Sequence, residues 1–180
     1  SQLMDLFMLA GKLAGQELTK ISKMPDLVKI ALELDPEIES IAKWLASASH
    51  VYFLGRGPGL ATALEGALKL KELSYIHAEG MPAGELKHGT LALIENGTPL
   101  VIVCPPGKHY ERTISNLMEV KSRGGKIIAL GEKGDSKLAK LSDHFIGPTP
   151  VQEQFSAIPY IIPLQLLAYH CAVLRGNDPD

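Results

Sequence analysis

Short apolar runs alternate with segments of helical periodicity from residue 50 to the end of the sequence. The runs are HVYFLG, TPLVIVCP, GKIIALGE and DHFIGPTP, and a segment with helical spacing follows each of them. This alternation predicts strands joined by right-handed helical crossovers, which make the strands parallel. Because the runs are apolar throughout, helices must cover both faces of the resulting sheet. The pattern therefore predicts an α/β fold with a doubly wound parallel sheet.

The two parts of the chain differ in character. Residues 50–180 carry the alternating pattern and are predicted to form a three-layer sandwich of the flavodoxin-like or Rossmann-like kind. Residues 1–49 contain no strand-like run; Pro25 breaks one helical segment, and Asp35 with Pro36 marks the start of another. We expect residues 1–49 to be a helical extension that packs on the α/β domain or links it to a preceding region.

The charge balance argues against nucleic acid as a partner. The 180 residues contain 18 Lys and Arg against 20 Asp and Glu, a formal net charge of −2. No basic block is present to attract a phosphate backbone, and one Trp and four Phe offer few platforms for base stacking.

A membrane-spanning segment is not expected either. The most apolar stretch, 158–174, contains prolines, a glutamine and a histidine, and it is predicted to be a buried helix.

Both cysteines, Cys104 and Cys171, lie inside apolar runs. Such positions are typical of buried free thiols, and the two residues form neither a metal-ligand motif nor a redox motif. Free thiols are compatible with a reducing compartment, so we expect a cytoplasmic protein. The sequence also lacks a GxSxG nucleophile elbow and a P-loop, which argues against the common forms of serine hydrolase and nucleotide chemistry.

A glycine-rich turn, 55–59 (GRGPG), follows the first predicted strand and precedes a helix. In this position backbone N–H groups and the start of a helix can bind an anion. The spacing does not match the GxGxxG nucleotide fingerprint, and glycine suits a plain tight turn equally well. The turn is therefore predicted first as a structural connection, with Arg56 and Gly57 as candidate substrate-binding residues.

The next helical segment, ATALEGALKLKELSYIHAEG, carries a charged stripe. At 100° per residue its charged side chains fall within a sector of roughly 80°. They are Glu65, Lys69, Glu72 and Glu79. Apolar residues occupy most of the remaining circumference, so the helix is expected to be enclosed on several sides, and its charges must face solvent, a partner or a cleft. A simple i,i+4 pair between Glu65 and Lys69 on an exposed edge is the alternative interpretation.

A polar, glycine-flanked segment, 83–90 (AGELKHGT), separates two apolar elements. His88 in this segment can donate or accept a proton near neutral pH. Glu85 and His88 have the ExxH spacing of a carboxylate metal site, but the sequence has no second ExxH pair. One such pair supplies too few ligands. We therefore expect neither a metal nor another cofactor.

Together these motifs resemble the second sugar-isomerase (SIS) domain of the glucosamine-6-phosphate synthase family, the glutamine:fructose-6-phosphate amidotransferases. The resemblance covers essentially the whole chain, with LGRG, LEGALKLKE, AGELKHG and PLQLLAYH in the family order. It implies a five-stranded parallel sheet, where the apolar pattern alone indicates four strands. It also implies two SIS domains in tandem and a homodimer.

The resemblance further implies roles for individual residues. Glu72, at the end of LKLKE, corresponds to the base that moves a proton between C1 and C2 of the sugar, and Lys69 lies beside the sugar. His88, in ELKHG, is associated with opening of the sugar ring and reaches the site of the neighbouring subunit. Aldose–ketose isomerisation needs such a base, a group near the ring oxygen and a cation beside the enediolate. The implied ligands are fructose 6-phosphate and glucosamine 6-phosphate, with Glu65 as a further substrate-binding residue.

Other parts of the family pattern do not occur in this sequence. They are the serine- and threonine-rich phosphate loops of the first SIS domain, the N-terminal glutaminase domain and the C-terminal tail with its imine-forming lysine. We therefore expect the chain to supply proton-transfer residues to an enzyme that makes glucosamine 6-phosphate from fructose 6-phosphate and glutamine-derived ammonia. The first SIS domain and the glutaminase domain would be its partners, and the chain alone would be inactive. Two alternatives remain: an SIS-type amino-sugar phosphate deaminase or isomerase, and a non-catalytic module that binds sugar phosphates.

Helix length gives one geometric expectation. If the charged helix begins near Gly59, Glu72 lies about 20 Å along it. In open α/β sheets the usual ligand crevice lies at the carboxyl ends of the strands, where this helix starts. Glu72 should therefore face another domain or subunit.

Overall fold

A five-stranded parallel sheet forms the centre of the fold. The computed structural model describes residues 2–15 and 22–179. The strands are β1 (His50–Gly55), β2 (His77–Pro82), β3 (Pro99–Cys104), β4 (Lys126–Gly131) and β5 (His144–Ile146). Their order across the sheet is β2-β1-β3-β4-β5, and every pairing is parallel. Because β2 and β3 lie on opposite sides of β1, the winding reverses there, which confirms the prediction of a doubly wound sheet.

Helices cover both faces of this sheet. They are α1 (Gln2–Leu13), α2 (Met24–Leu32), α3 (Asp35–Leu45), α4 (Pro58–Ser74), α5 (Tyr110–Ser122), α6 (Ser136–Leu141) and α7 (Ala157–Leu174). Side chains of α3, α4 and α7 share one apolar core with Phe53 of β1. Side chains of α5 and α6 share a second core with Leu54, the next residue of the same strand. Successive strand residues point to opposite faces, so β1 contributes to both cores.

The N-terminal helices contribute to the first core to different extents. Helices α2 and α3 pack against α7, and Ile38 and Leu45 of α3 are completely buried. A hydrogen bond of 2.7 Å between His170 Nε2 and Asp35 Oδ1 adds a polar link between α7 and α3. None of the described residues of α1 is buried. The helical character predicted for the N-terminal part is therefore present in its described residues.

The strand β2 was not predicted from the apolar pattern. The sequence analysis placed one helix from the glycine-rich turn through Glu79, but α4 ends at Ser74 and Glu79 lies in β2. The prediction that Glu79 shares the charged sector is therefore wrong. As an edge strand, β2 pairs only with β1, and only Ala78 and Met81 of its six residues are buried, so it forms no continuous apolar run. An edge strand of this kind gives a weak sequence signal.

Tyr75 ends α4 in a backbone conformation that is unfavourable for its side chain. Its φ angle is +57°, in the left-handed region that glycine adopts without penalty, and 72% of the residue is exposed. We expect Tyr75→Gly to raise the free energy of unfolding by about 0.5–1 kcal/mol. Thermal unfolding would detect this as a rise in Tm of about 1–4 °C. The exposed β2 residue His77 is the control: His77→Gly should lower Tm, and an unchanged or lower Tm for Tyr75→Gly would contradict the prediction.

Both cysteines are buried and free, as predicted. Cys104 is 1% exposed and Cys171 is 0% exposed. Burial raises the pKa of each thiol to about 12, because the thiolate loses its hydration in an apolar setting. We expect neither cysteine of the folded protein to react with a thiol-reactive dye at pH 8, and both to react after unfolding in guanidinium chloride. Labelling of the folded protein at the rate of a small free thiol would contradict this.

Among the described residues, one helix, α7, has the length and the apolar composition of a membrane-spanning helix. In the fold it packs against α2, α3 and α4. Its residues Tyr160, Leu164 and Cys171 are at most 1% exposed and belong to the first core. This packing is typical of the core helix of an α/β domain. The prediction of a buried helix holds for the face toward the core, whereas Tyr169 and Val173 are 46% and 49% exposed.

Candidate functional site

The central charged group of the site is a triad on α4, formed by Glu65, Lys69 and Glu72. Lys69 Nζ donates a hydrogen bond of 2.7 Å to Glu72 Oε2 and lies 3.7 Å from Glu65 Oε1. The spacings i,i+3 and i,i+4 place the three side chains on one face of the helix. Between 30% and 49% of each side chain is accessible, so the triad is reachable from outside the domain.

The triad has the electrostatic composition that proton transfer at a carbon atom requires. The hydrogen bond to Glu72 raises the pKa of the Lys69 ammonium, so Lys69 is a cation at neutral pH. It can therefore stabilise negative charge that develops on a neighbouring oxygen. Glu72 Oε1 accepts no hydrogen bond from the residues described here, which leaves one carboxylate oxygen available to receive a proton.

The surroundings of the triad are open, contrary to the prediction that several sides of the helix are enclosed. One side of α4 packs on the sheet and on α7, where a Cβ atom at Gly66 would lie 2.5 Å from Leu164 Cδ1. On the other side, Leu64 and Leu68 are 47% and 40% exposed. The enclosed-helix interpretation was wrong because it counted every leucine as covered. The triad therefore lies on a partly apolar face that is largely open, with Leu3 of α1 lining a small cavity of about 140 Å³ beside Glu65.

The glycine-rich turn forms a tight connection from β1 to α4. A methyl group at Gly55 would overlap the backbone carbonyl of Gly59. Gly57 has a φ angle of +52°, and the imidazole of His109 lies directly over it. The N–H groups of Gly59 and Leu60 donate to carbonyls within the turn, each at 3.0 Å. These contacts account for the glycines structurally, and the substrate-binding roles of Arg56 and Gly57 stay predictions.

His88 lies in a short 3-10 helix, Ala83–His88, that follows β2. The β1–β2 register pairs Gly55 with Pro82, so this segment begins at the carboxyl edge of the sheet, beside the glycine-rich turn. His88 is exposed. The segment that the sequence analysis treated as a polar loop is thus a helical turn with ordered neighbours.

The fold does not bring all the candidate residues together in one chain. Helix α4 starts at the carboxyl edge of the sheet after β1 and returns to the amino edge, where β2 begins. Glu72 is near the end of that helix, whereas His88 follows the carboxyl end of β2. A strand of six residues spans about 20 Å, which sets the approximate separation of the two residues. The predicted distance of Glu72 from the carboxyl-edge crevice is therefore present in the fold.

Sequence reasoning missed three residues around this edge. Asn116 and Glu119 of α5 make polar contacts with Arg56 and Lys87, and His109 covers the glycine turn. Asn116 is 6% exposed, and an asparagine within a polar helix carries no signal of burial. Only the position of α5 beside the turn gives these residues their contacts.

Two further observations delimit the site. A cavity of about 580 Å³ lies at the carboxyl ends of β3 and β4, lined in part by Tyr110, Glu132 and Asp135. It includes none of the six candidate residues. Within the described ranges, no three His, Cys, Asp or Glu side chains are arranged to hold a metal ion.

The chain is similar in sequence and in structure to several known proteins. A glutamine–fructose-6-phosphate aminotransferase (isomerizing) of Pyrococcus horikoshii is 49% identical over 187 residues, covering 100% of this chain and 31% of that protein. The C-terminal domain of glucosamine-fructose-6-phosphate aminotransferase from Francisella tularensis superimposes with a TM-score of 0.85 and 42% identity, over 90% of this chain and 46% of that one. A glucosamine-6-phosphate deaminase from Thermotoga maritima has a TM-score of 0.70 and 28% identity, over 99% of this chain and 51% of that one.

The chain thus spans 31% of the length of that Pyrococcus relative. The family model described as the SIS domain matches residues 44–175, which include the whole sheet and every candidate site residue. The chain belongs to the SIS domain family.

Proposed function

We propose that this chain is the C-terminal SIS domain of a glutamine:fructose-6-phosphate aminotransferase of the isomerizing type. Such an enzyme makes glucosamine 6-phosphate from fructose 6-phosphate and glutamine-derived ammonia. The observation that carries the proposal is the Lys69–Glu72 pair, with a hydrogen bond of 2.7 Å on a largely open helix face. The 49% identity to the Pyrococcus aminotransferase over the whole chain supports it.

In the proposed mechanism Glu72 is the base. Ammonia first condenses with the C2 carbonyl of open-chain fructose 6-phosphate and releases water, which forms an imine. The free carboxylate oxygen of Glu72 then removes a proton from C1 and returns it to C2, while the C1 hydroxyl proton moves to the nitrogen, so the carboxylate is regenerated and the product is the open-chain aldehyde of glucosamine 6-phosphate. The Lys69 ammonium stabilises the negative charge that develops between these two steps. Glu65, which lies on the other side of Lys69, orients the ammonium and contacts the substrate.

The proposed site requires more than one copy of the chain. His88 acts on the sugar ring, yet it lies near the opposite edge of the sheet from Glu72. A site that uses both residues therefore takes His88 from a second chain, which makes the enzyme a homodimer. The exposed Leu64 and Leu68 beside the triad provide apolar area for the covering domain.

The remaining requirements are met outside these 180 residues. A preceding SIS domain supplies the phosphate pocket, and a glutaminase domain supplies ammonia. The proton moves between two carbons without change of the overall oxidation state, so the proposed reaction needs no redox cofactor. The proposed enzyme is cytoplasmic, where free thiols such as Cys104 and Cys171 persist.

A second function is supported by a specific match. The glucosamine-6-phosphate deaminase of Thermotoga maritima shares 28% identity over 99% of this chain. A deaminase also needs a base that moves a proton between the same carbons. It would release ammonia from glucosamine 6-phosphate instead of using glutamine.

A chimeric enzyme tests the proposal directly. Only the stretch of the Pyrococcus aminotransferase that aligns with this chain is replaced by the 180 residues, and everything before and after that stretch is kept. Formation of glucosamine 6-phosphate from fructose 6-phosphate and glutamine is then measured. We expect glutamine-dependent synthesis by the chimera and no turnover by the isolated chain. Release of ammonia from glucosamine 6-phosphate without any glutamine-dependent synthesis would favour the deaminase function instead. A folded chimera with neither activity, or robust turnover by the isolated chain, would contradict the proposal.

A further inference from the structure

The segment that carries His88 has three distinct faces. In a 3-10 helix side chains three positions apart lie one above the other. The six residues of Ala83–His88 therefore form three pairs, each on its own face. The pairs are Ala83 with Leu86, Gly84 with Lys87, and Glu85 with His88.

The first pair anchors the segment in the domain. Ala83 and Leu86 are completely buried and belong to the core that α5 shares with the sheet. The third pair lies on the exposed side, because both Glu85 and His88 are accessible. The ExxH spacing thus places these two residues on one outward face. The contacts of the second pair add to this anchoring and hold the same orientation from a second face.

The second pair is held from both ends by charged side chains. A methyl group at Gly84 would lie 3.0 Å and 3.2 Å from the two terminal guanidinium nitrogens of Arg56, so the guanidinium packs directly on this glycine. Lys87 Nζ forms a salt bridge of 2.8 Å with Glu119 Oε1. Arg56 belongs to the glycine-rich turn and Glu119 to α5, so two different elements contact the same face.

Asn116 joins these two contacts into one chain. Its Oδ1 accepts a hydrogen bond of 3.0 Å from Arg56 Nε, and its Nδ2 donates one of 3.4 Å to Glu119 Oε2. Asn116 itself is 6% exposed, its two hydrogen bonds are partly buried, and both ends of its amide are satisfied. The four residues therefore form a continuous polar clamp: Arg56, Asn116, Glu119 and Lys87.

We propose that this polar clamp positions His88. It grips the 3-10 helix up to Lys87, the residue before His88, and so fixes the direction in which the exposed face points. Gly89, which follows His88, has a φ angle of +148° and open space where a Cβ atom would lie, and its carbonyl accepts a hydrogen bond of 2.9 Å from Ala92 N. The clamp therefore supports the segment before His88, and this backbone turn supports it after His88. Arg56 is then a positioning residue. The inference that the clamp serves catalysis rests on the function proposed above.

Hydrogen exchange measures the clamp independently of activity. Glu119→Gln removes the salt bridge to Lys87, and Arg56→Lys removes the planar group that packs on Gly84. In this chain we expect each change to speed amide exchange of residues 84–89 by at least roughly fivefold, with the far-ultraviolet circular dichroism unchanged. Glu111→Gln is the matched control, since it also removes a carboxylate of α5 that lies 2.8 Å from a lysine, here Lys137. Glu111→Gln should leave the amide exchange rates of residues 84–89 unchanged. If both clamp variants also leave these rates unchanged, the proposal is overturned.

Kinetics of the chimera then test the positioning role. A loosely held His88 should lower kcat by roughly ten- to a hundredfold, with KM changed less than about twofold. When His88 is already replaced by alanine, the same clamp variants should not lower kcat any further, because the residue that the clamp positions is gone. Equal losses with and without His88 would overturn the positioning role. One outcome separates the two proposals. If His88→Ala leaves kcat of an active chimera unchanged while the clamp variants speed amide exchange, the catalytic role proposed for His88 is wrong and the structural role of the clamp is supported.

Discussion

Replacing Glu72 with glutamine in the chimeric enzyme is expected to lower kcat for glucosamine 6-phosphate formation by roughly 10³-fold. Glutamine has nearly the same shape, and its side-chain oxygen can still accept the hydrogen bond that Lys69 donates to Glu72 Oε2. It cannot accept and return a proton, so the change removes the chemistry and preserves the packing. Because 49% of the Glu72 side chain is accessible, the effect on Tm should be small.

Glu79 provides a control of the same residue type. It is an exposed glutamate seven positions further along, on β2 instead of α4. Glu79→Gln should leave kcat within about twofold of the parent. A loss of kcat below tenfold for Glu72→Gln would exclude Glu72 as the base, and an equal loss for Glu79→Gln would show that the assay reports general damage to this edge of the domain.

The largest effect on stability is expected from Gly55→Ala. The added methyl group would overlap the backbone carbonyl of Gly59 and approach Leu60 N to 2.7 Å. Backbone atoms at the start of α4 cannot rotate away as a side chain can, so the turn itself has to shift. We expect a loss of about 3 kcal/mol in the free energy of unfolding and a fall in Tm of about 6–12 °C.

Gly57→Ala, two residues later, provides a comparison in which the added methyl group does not overlap backbone atoms. There the added methyl group meets the imidazole of His109, which can turn aside, and the main penalty comes from the φ angle of +52°. A loss of about 1–2 kcal/mol is expected. Denaturant titration of both variants would check the order, and Gly55→Ala as stable as the parent would contradict the close approach seen in the turn.

The sheet could be predicted largely from the sequence because most strands are buried on both faces. β1, β3 and β4 are continuous apolar runs with almost every residue buried, and such runs are visible without a structure. β2 was missed because it lies at an edge and follows α4 after only two residues, Tyr75 and Ile76. The turn between them depends on a left-handed tyrosine, which sequence preference does not suggest.

In the candidate site, contacts within one helix could be predicted from the sequence, whereas contacts between distant elements could not. Glu65, Lys69 and Glu72 were found together because helical periodicity fixes neighbours three and four positions apart, and the structure places them in contact. Glu79 was added wrongly because the period was carried past the end of the helix. The contacts of Arg56 and Lys87 could not be predicted, because they join elements distant in sequence through Asn116.

The close approach of α4 and α7 at Gly66 limits how the triad can respond to change. A Cβ atom at Gly66 would lie 2.5 Å from Leu164 Cδ1, so the two helices are in close contact at this point. Helix α7 in turn packs against α2 and α3. We therefore expect substitutions in α2 and α3, well away from the triad, to shift its geometry through these contacts, and selection of the chimera for activity to yield variants there.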